Sequence, residues 1–295
     1  MNASAPVKAA SKCDLCAIHH RSICGVVDAQ LQEELGRISH MRTFSMGETV
    51  LAESEQAGIV GNVVSGALRM VKTMADGRQQ IVGLLLPSDM FGRVFSTDSL
   101  FAVEAATDVI LCCFNRPAFE SLLTKNRDLE HNMLLSVLDE LDAARDWMLL
   151  LGCQSILERV ATFLIILHRR VDNQGCGRQT DQAKPFVAVP ISRRDVATYL
   201  VTTVETISRT VQLLARKGVI RILDPQHFEV LRRDRLVAMS GRLEFAMGYS
   251  NTGTLDRRHE AGKPAALSII AARPVTFPVL EVAPSGPTTS VKDAN

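Results

Sequence analysis

The chain lacks the sequence signals of secreted proteins, membrane-spanning proteins and several common enzyme classes. Residues 1–12 are small and polar, without the apolar segment of a signal peptide. No run of about 18 apolar residues occurs, so no transmembrane helix is predicted. A phosphate-binding Walker loop, a nucleophile elbow and a paired His-Glu zinc motif are also missing. These absences predict a cytoplasmic protein that is neither an enzyme nor bound to a membrane.

The chain has almost no excess of one sign of charge, because its formal net charge is only +1. The total charge therefore gives no indication of a nucleic-acid partner. The distribution of charge does, because the segment from Ser192 to Arg221 contains six Lys and Arg residues against two acidic ones. A local excess of this kind suits the phosphate backbone of nucleic acid.

Turn signals and hydrophobic periodicity divide the 295 residues into five parts and predict an α+β fold. Short runs of Val, Ile, Leu and Phe, separated by Gly and Asp turns, predict a β-roll or barrel. A helical period follows, and proline-rich sequence without a period ends the chain. The predicted parts are a cysteine-bearing arm at 1–27, a β-roll domain at 28–125, a dimerisation helix at 126–153, a winged helix-turn-helix at 154–236 and a disordered tail at 237–295.

Apolar residues follow a spacing of 3, 4, 3, 4 and 3 along the predicted long helix. This is the pattern of two helices packed along a seam, although a helix face buried within one chain gives the same pattern. Charged flanks favour the dimer interpretation, and Ala144 at the middle of the seam would let two helices approach closely. The predicted dimer interface consists of Leu134, Val137, Leu141, Ala144, Met148 and Leu151.

Seven cysteines, in a protein predicted to be cytoplasmic, indicate free thiols or metal ligands rather than disulfides. Cys13, Cys16 and Cys24 form a C-x2-C-x7-C pattern in a polar segment that is too short for a core of its own. A fourth ligand would come from a strand further along the chain, where Cys112 and Cys113 lie on opposite faces. Thiolates ligate both iron–sulfur clusters and zinc, so the cysteine pattern is compatible with either kind of site. Thiols without any bound metal are the third alternative.

The basic segment carries the capping residues of two consecutive helices. Ser192 begins the first helix, Thr203 begins the second, and Gly218 ends it. This arrangement predicts a helix-turn-helix, which brings the first turns of the second helix into the DNA major groove. Val201, in the turn, is unfavourable, because that position favours glycine and a β-branched residue resists a positive φ.

The second helix presents side chains that are suited to reading bases. Glu205, Ser208 and Arg209 lie at positions i, i+3 and i+4 and therefore share a face. Arg209 suits guanine, Glu205 cytosine, Val204 a thymine methyl group, and Ser208 a base or a phosphate. Together with the capping Thr203, these are the predicted DNA-binding residues. The alternative is a solvated helix face with an internal Glu–Arg pair.

The second helix and its context resemble the Crp/Fnr family of bacterial regulators. The likeness lies in the run VETISRTVQLLARKGVI, from Val204 to Ile220, which follows a β-roll and a long helix. The pattern Glu205-x-x-Ser208-Arg209 is similar to the Fnr branch of the family. The resemblance covers about residues 10–236 and leaves the C-terminal tail outside.

The resemblance implies a cyclic-nucleotide-binding-like β-roll, a homodimer, double-stranded DNA with TTGAT-type inverted repeats, and RNA polymerase as a further partner. It also implies a [4Fe-4S] cluster held by Cys13, Cys16, Cys24 and Cys112, with Cys113 as the alternative fourth ligand. In the absence of oxygen this cluster would promote dimerisation and DNA binding, and so control genes for low-oxygen metabolism. The alternative is a constitutive, thiol-dependent or zinc-dependent regulator of the same family.

Cyclic nucleotide is the other effector used in this family, and the sequence disfavours it. A cyclic-nucleotide pocket needs a Gly-Glu pair and a later Arg for the ribose and the cyclic phosphate. Here Gly92 is followed by Arg93, and the stretch 100–107 contains no Arg. The resemblance therefore implies a regulator that does not bind a cyclic nucleotide.

Overall fold

In the computed structural model of this chain, the described residues are 13, 16–96, 98–174 and 186–241. From residue 242 onwards, the predicted disordered tail lies outside the described residues. Residues 1–12, 14 and 15 of the predicted arm also lie outside them. The α+β class is confirmed, with a β-roll, long helices and a C-terminal helix-turn-helix in that order. None of the described helices is long and apolar enough to cross a membrane.

The N-terminal half is a β-roll of two antiparallel four-stranded sheets. Two short 3₁₀ turns, His19–Arg21 and Ile23–Val26, and helix α1, Ala29–Ile38, precede it. The strands are β1 Ser39–Phe44, β2 Thr49–Leu51, β3 Ile59–Ser65, β4 Leu68–Thr73, β5 Gln79–Leu85, β6 Met90–Phe91, β7 Ala102–Ala105 and β8 Val109–Asn115. The sheet orders are β1-β8-β3-β6 and β2-β7-β4-β5.

Strands β3 and β8 have two different apolar faces, because alternate residues of a strand point to opposite sides. Val63 and Leu111 are buried in the cluster between the two sheets. Val60 and Phe114 are buried in a second cluster, which also contains Leu35 of α1. The outer face of this sheet is therefore covered by the arm and the helices rather than by solvent.

Three helices follow the roll: α2 Arg116–Lys125, α3 Arg127–Cys153 and α4 Ile156–Gln174. Five of the six predicted seam residues on α3 are exposed, and Leu141 and Met148 expose 44% and 73% of their surface. Leu151, the sixth, is half-buried against the core that α4 shares with the C-terminal unit. The exposed part of the predicted seam therefore ends before Leu151, because the last turn of α3 packs within its own chain.

The C-terminal unit contains β9 Phe186–Ala188, α5 Arg193–Tyr199, α6 Val204–Arg216, β10 Ile220–Ile222, β11 His227–Val230 and α7 Arg233–Met239. Strands β10 and β11 follow α6 in the chain, pair as an antiparallel hairpin and form the wing. Helix α7 crosses the predicted boundary at residue 236 and extends this unit. Leu236 is buried, and the Gln154 amide donates a 2.9 Å hydrogen bond to the Ser240 carbonyl.

Polar contacts join the roll to the first helix of the helix-turn-helix. The Arg69 guanidinium lies 2.6 Å from the Asp195 carboxylate and 2.8 Å from Glu104. The Gln80 amide donates a 2.7 Å hydrogen bond to the Thr198 carbonyl. Helix α5 is thus attached to the roll by side chains of β4 and β5.

Candidate metal centre and nucleic-acid interface

The cysteine arm folds onto the outer face of the β8-containing sheet. Cys24 and Ile23 are buried in the same apolar cluster as Val60 and Phe114, and Cys112 packs at the margin of that cluster. The arm is compact because its backbone turns on itself, with the His19 N–H donating to the Cys16 carbonyl at 3.1 Å. Two segments far apart in sequence therefore bring thiols to one place.

The contacts of two glycines show how the arm packs on its own backbone and beside α1. A side chain at Gly25 would place its Cβ 2.6 Å from the His19 carbonyl oxygen, which no real Cβ can tolerate. A Cβ at Gly36 of α1 would lie 3.5 Å from the Cys13 sulfur. Gly25 is thus needed for the fold of the arm, while the Gly36 position shows that Cys13 lies over α1.

The four predicted thiol ligands influence one another electrostatically. Burial, together with the nearby thiols Cys24, Cys16 and Cys13, raises the pKa of Cys112 to about 12. Burial likewise raises the pKa of Cys24 to about 11, with Cys13 and Cys16 again contributing. Metal ligation requires thiolates, so a metal bound by these thiols would displace their protons, and binding would weaken as the pH falls.

Cys113 lies in a different environment from Cys112. It is fully buried in the cluster between the two sheets. Burial raises its pKa to about 11, and Arg42 acts against that rise, whereas the arm cysteines are not among the groups that shift it. Cys112 rather than Cys113 faces the arm.

The thiol arrangement bears on which metal group the site can hold. No three Cys, His, Asp or Glu side chains of the described residues are close enough to chelate one ion. Four-coordinate zinc needs such convergence of its ligands on a single atom. Cysteine thiolates are also the ligands that would hold a four-iron cluster. The donors present, four soft thiols on a largely apolar surface, fit a cluster of this kind.

Two residues beside Cys112 were not found by sequence reasoning. Gly61 of β3 lies so close to β8 that a Cβ there would be 2.1 Å from the Cys112 carbonyl oxygen. Asn62 pairs with Cys112 across the two strands and is buried. A glycine and a polar residue within an apolar strand were the available signal, since such a glycine often marks close backbone approach.

Helices α5 and α6 form the helix-turn-helix that the sequence predicts. Ser192 and Thr203 cap them as predicted, their hydroxyls accepting from the Asp195 and Thr206 amides at 3.1 and 3.2 Å. On α6, the residues Ile207, Thr210, Val211 and Leu214 are buried. The buried face fixes which residues of α6 point outward.

The predicted base-reading residues share the outward face of α6. Thr203, Val204, Glu205 and Arg209 are exposed, and Ser208 is half-buried. Within the part of the chain that the structure describes, neither Glu205 nor Arg209 takes part in an ion pair. The alternative of an internal Glu–Arg pair therefore has no support in the geometry, and both side chains are available to a ligand.

The turn between the two helices adopts the unfavourable conformation expected from its sequence. Val201 has a φ of +53°. The turn is held in place by the Thr202 N–H, which donates to the Ala197 carbonyl at 2.9 Å. Arg159 of α4 adds a 3.0 Å hydrogen bond from its guanidinium to the Leu200 carbonyl. The surrounding contacts thus compensate for the strained backbone of Val201.

Comparison with known proteins agrees with both halves of the molecule. The family described as cyclic nucleotide-binding domain matches residues 41–126, and the Crp-like helix-turn-helix domain matches residues 158–239. The transcriptional activator protein FnrL of Cereibacter sphaeroides is 39% identical over 230 residues, covering 78% of this chain and 92% of FnrL. The chain belongs to the Crp/Fnr family. As members of this family are DNA-binding transcription regulators, the prediction that the protein is not an enzyme is confirmed.

Further Crp/Fnr relatives share the same extent. The nitrogen fixation regulation protein FixK of Bradyrhizobium diazoefficiens is 35% identical over 226 residues, covering 74% of this chain and 93% of that protein. The structure of FixK2 from Bradyrhizobium japonicum superimposes with a TM-score of 0.62 at 31% identity, covering 68% of this chain and 97% of FixK2. The Crp/Fnr fold is therefore shared over the roll, the long helix and the DNA-reading unit.

Proposed function

We propose that this Crp/Fnr protein is an oxygen-responsive transcription activator whose sensor is a [4Fe-4S] cluster. Cys13, Cys16 and Cys24 of the arm and Cys112 of β8 are the proposed ligands. The observation that carries the proposal is the packing of Cys24 and Cys112 in one apolar cluster, with the Cys13 sulfur over α1, which belongs to the same cluster. When bound, the cluster supplies iron that oxygen can oxidise.

The arm also contacts the helix that we propose as the dimer interface. The 3₁₀ turn Ile23–Val26, which contains Cys24, packs against α3. Leu129 of α3 is fully buried in the same apolar cluster as Cys24. Ligation of Cys24 would therefore fix the position of this turn against α3, and its release would loosen the packing at Leu129. A local change of ligation thereby biases an interface between two copies of the chain.

Regulators of the Crp/Fnr family are dimers that bind DNA. In this chain we propose that the exposed α3 residues Leu134, Val137, Leu141, Ala144 and Met148 form the seam. A two-fold dimer would present two copies of α6 to half-sites about one helical turn apart, or 34–36 Å. Arg209, Glu205, Ser208 and Val204 would then read a TTGAT-type inverted repeat, with Thr203 at the backbone.

The remaining partners follow from this role. The proposed protein acts in the cytoplasm, contacts RNA polymerase and has no membrane partner. Arg93 occupies the place of the acidic residue that a cyclic-nucleotide pocket would need, so we propose that no cyclic nucleotide is bound. Expression of genes for low-oxygen metabolism would be its output.

Alanine variants of the two adjacent cysteines of β8 test the ligand assignment. Cys112→Ala should lose the iron and sulfide that the wild-type chain retains after purification without oxygen. Cys113→Ala is the matched control, because it removes the neighbouring thiol from the opposite face of the same strand. Retention of the full iron and sulfide content by Cys112→Ala would contradict the assignment.

A constitutive, thiol-dependent or zinc-dependent regulator is the second candidate function. The observation in its favour is that FixK proteins are among the relatives, at 35% identity. It predicts a colourless protein, with or without stoichiometric zinc, whose affinity for DNA is the same with and without air. Metal analysis of the protein purified without oxygen distinguishes the two candidates.

A further inference from the structure

A buried amide faces the cysteine site from the strand next to Cys112. Asn62 lies on β3 with only 2% of its surface exposed. It pairs with Cys112 of β8 on one side and with Met90 of β6 on the other. Directly opposed residues of an antiparallel pair point to the same face, with Cβ atoms about 4.5–5.5 Å apart. The amide is therefore beside Cys112, on the face that the arm covers.

The Asn62 amide has no hydrogen-bond partner for its side-chain oxygen, which is fully buried. The surroundings on this face are apolar, since Val60 lies two residues before Asn62, and Phe114 lies two residues after Cys112. A buried polar group without a partner is costly, and such groups are rare unless a ligand or ion completes them. The sulfur atoms of the cysteine site can complete the amide, since Cys112 lies directly opposite Asn62.

The amide can offer a donor to sulfur in this position. The oxygen and nitrogen of an Asn side chain exchange places by rotation of half a turn, and their assignment follows from the hydrogen bonds available. In this structure the oxygen accepts from no S–H group. Beside thiolates or inorganic sulfide, which only accept, the stable orientation presents the N–H group. The side chain is therefore unsatisfied beside the metal-free arm and suits the metal-bound one.

We propose that Asn62 donates a hydrogen bond to sulfur at the cysteine site, and thereby controls how readily the bound cluster is oxidised. This inference rests on the proposed function. Hydrogen bonds to the sulfur atoms are one of the features that set the reduction potential of an iron–sulfur cluster. A donor stabilises the state with more negative charge, which is the reduced one. Asn62 thus protects the cluster against oxidation, and its removal makes oxidation easier.

The test compares full-length variants that differ at one donor group. Asn62→Leu removes the amide and keeps a similar shape. Asn62→Val and Asn62→Thr form an isosteric pair of strand-favouring residues, of which only threonine has a donor. Val63→Ala is the control for general loosening, because Val63 is fully buried on the opposite face of the same strand.

The readout is the rate at which the visible absorption of each anaerobically purified protein disappears. It is measured once with dissolved oxygen and once with ferricyanide, which takes an electron without entering the site. Asn62→Leu and Asn62→Val should react about tenfold faster than wild type with both oxidants, as expected for a lost charge-assisted hydrogen bond. Asn62→Thr and Val63→Ala should react at nearly the wild-type rate. A potential titration measures the same effect at equilibrium, where a tenfold change in the equilibrium constant for oxidation lowers the reduction potential by about 59 mV for one electron.

Several outcomes would overturn the inference. Equal rates for valine and threonine variants would show that no donor is needed. A faster reaction with oxygen alone would show that the substitutions open a path for oxygen rather than change the potential. Should Asn62→Leu fail to retain iron, the valine and threonine pair decides the matter. A wild-type chain without iron and sulfide would refute the proposed function itself and this inference with it, whereas a normal wild-type cluster with equal rates refutes the inference alone.

Discussion

Glycine at position 201 should be more stable than alanine there, although glycine is the poorer residue in most folded segments. Val201 has a φ of +53°, where any side chain with a Cβ is strained. That strain is about 1–2 kcal/mol for an ordinary residue. Glycine avoids it but costs about 0.5–1 kcal/mol in conformational entropy. The difference leaves Val201→Gly more stable than Val201→Ala by about 0.5–1 kcal/mol.

The comparison of glycine with alanine removes the contribution of side-chain burial. Val201 exposes 53% of its surface, so part of the valine packs against the protein and is lost in both variants. A matched control is Gln212, an exposed residue within helix α6. There the order should reverse, with Gln212→Gly less stable than Gln212→Ala by about 1 kcal/mol.

Thermal and urea unfolding of the four variants give the measurement. A difference of 1 kcal/mol corresponds to about 2–4 °C in Tm for a chain of this size. Val201→Gly should therefore unfold about 2 °C above Val201→Ala, while the Gln212 pair moves the other way. If alanine is the more stable residue at both positions, the positive φ at Val201 does not carry the strain that we assign to it.

Three further predictions follow from the same structure. Gly61→Ala should lower the free energy of unfolding by about 1–3 kcal/mol, because its Cβ meets the Cys112 carbonyl; unchanged urea unfolding would contradict this close approach. Ala144 places no charge at the centre of the proposed seam, so the metal-free protein should sediment as a dimer at micromolar concentration, and a monomer would refute this. Arg209→Ala should abolish specific DNA binding, whereas Lys217→Ala, at the exposed end of α6, should remove only a phosphate contact, weaken binding and flatten its salt dependence. Equal losses on every DNA sequence would contradict base reading by Arg209.

Local sequence signals predicted the features that depend on local physics. The caps at Ser192 and Thr203 act within three residues, so their sequence context defined them, and each side chain accepts the expected backbone hydrogen bond. The exposed face of α6 followed from its helical period in the same way. The awkward turn at Val201 was also visible, because residue type alone limits a positive φ.

Features that depend on strand pairing were beyond the sequence. Alternation on β8 left Cys112 and Cys113 as two choices, and only the packing of the arm shows which one faces it. Asn62 lies opposite Cys112 through a register that no local pattern specifies. The extension of α7 past residue 236 depends on contacts with Gln154, which is distant in sequence.

The most direct test of the oxygen-sensing account is an absorption spectrum of the protein purified without oxygen, with iron and acid-labile sulfide counted on the same sample. The account predicts a charge-transfer band and about four iron atoms per chain. Admission of air should bleach the band and, in parallel, weaken binding to a TTGAT-type inverted repeat. A colourless protein that binds this DNA equally with and without air would contradict it.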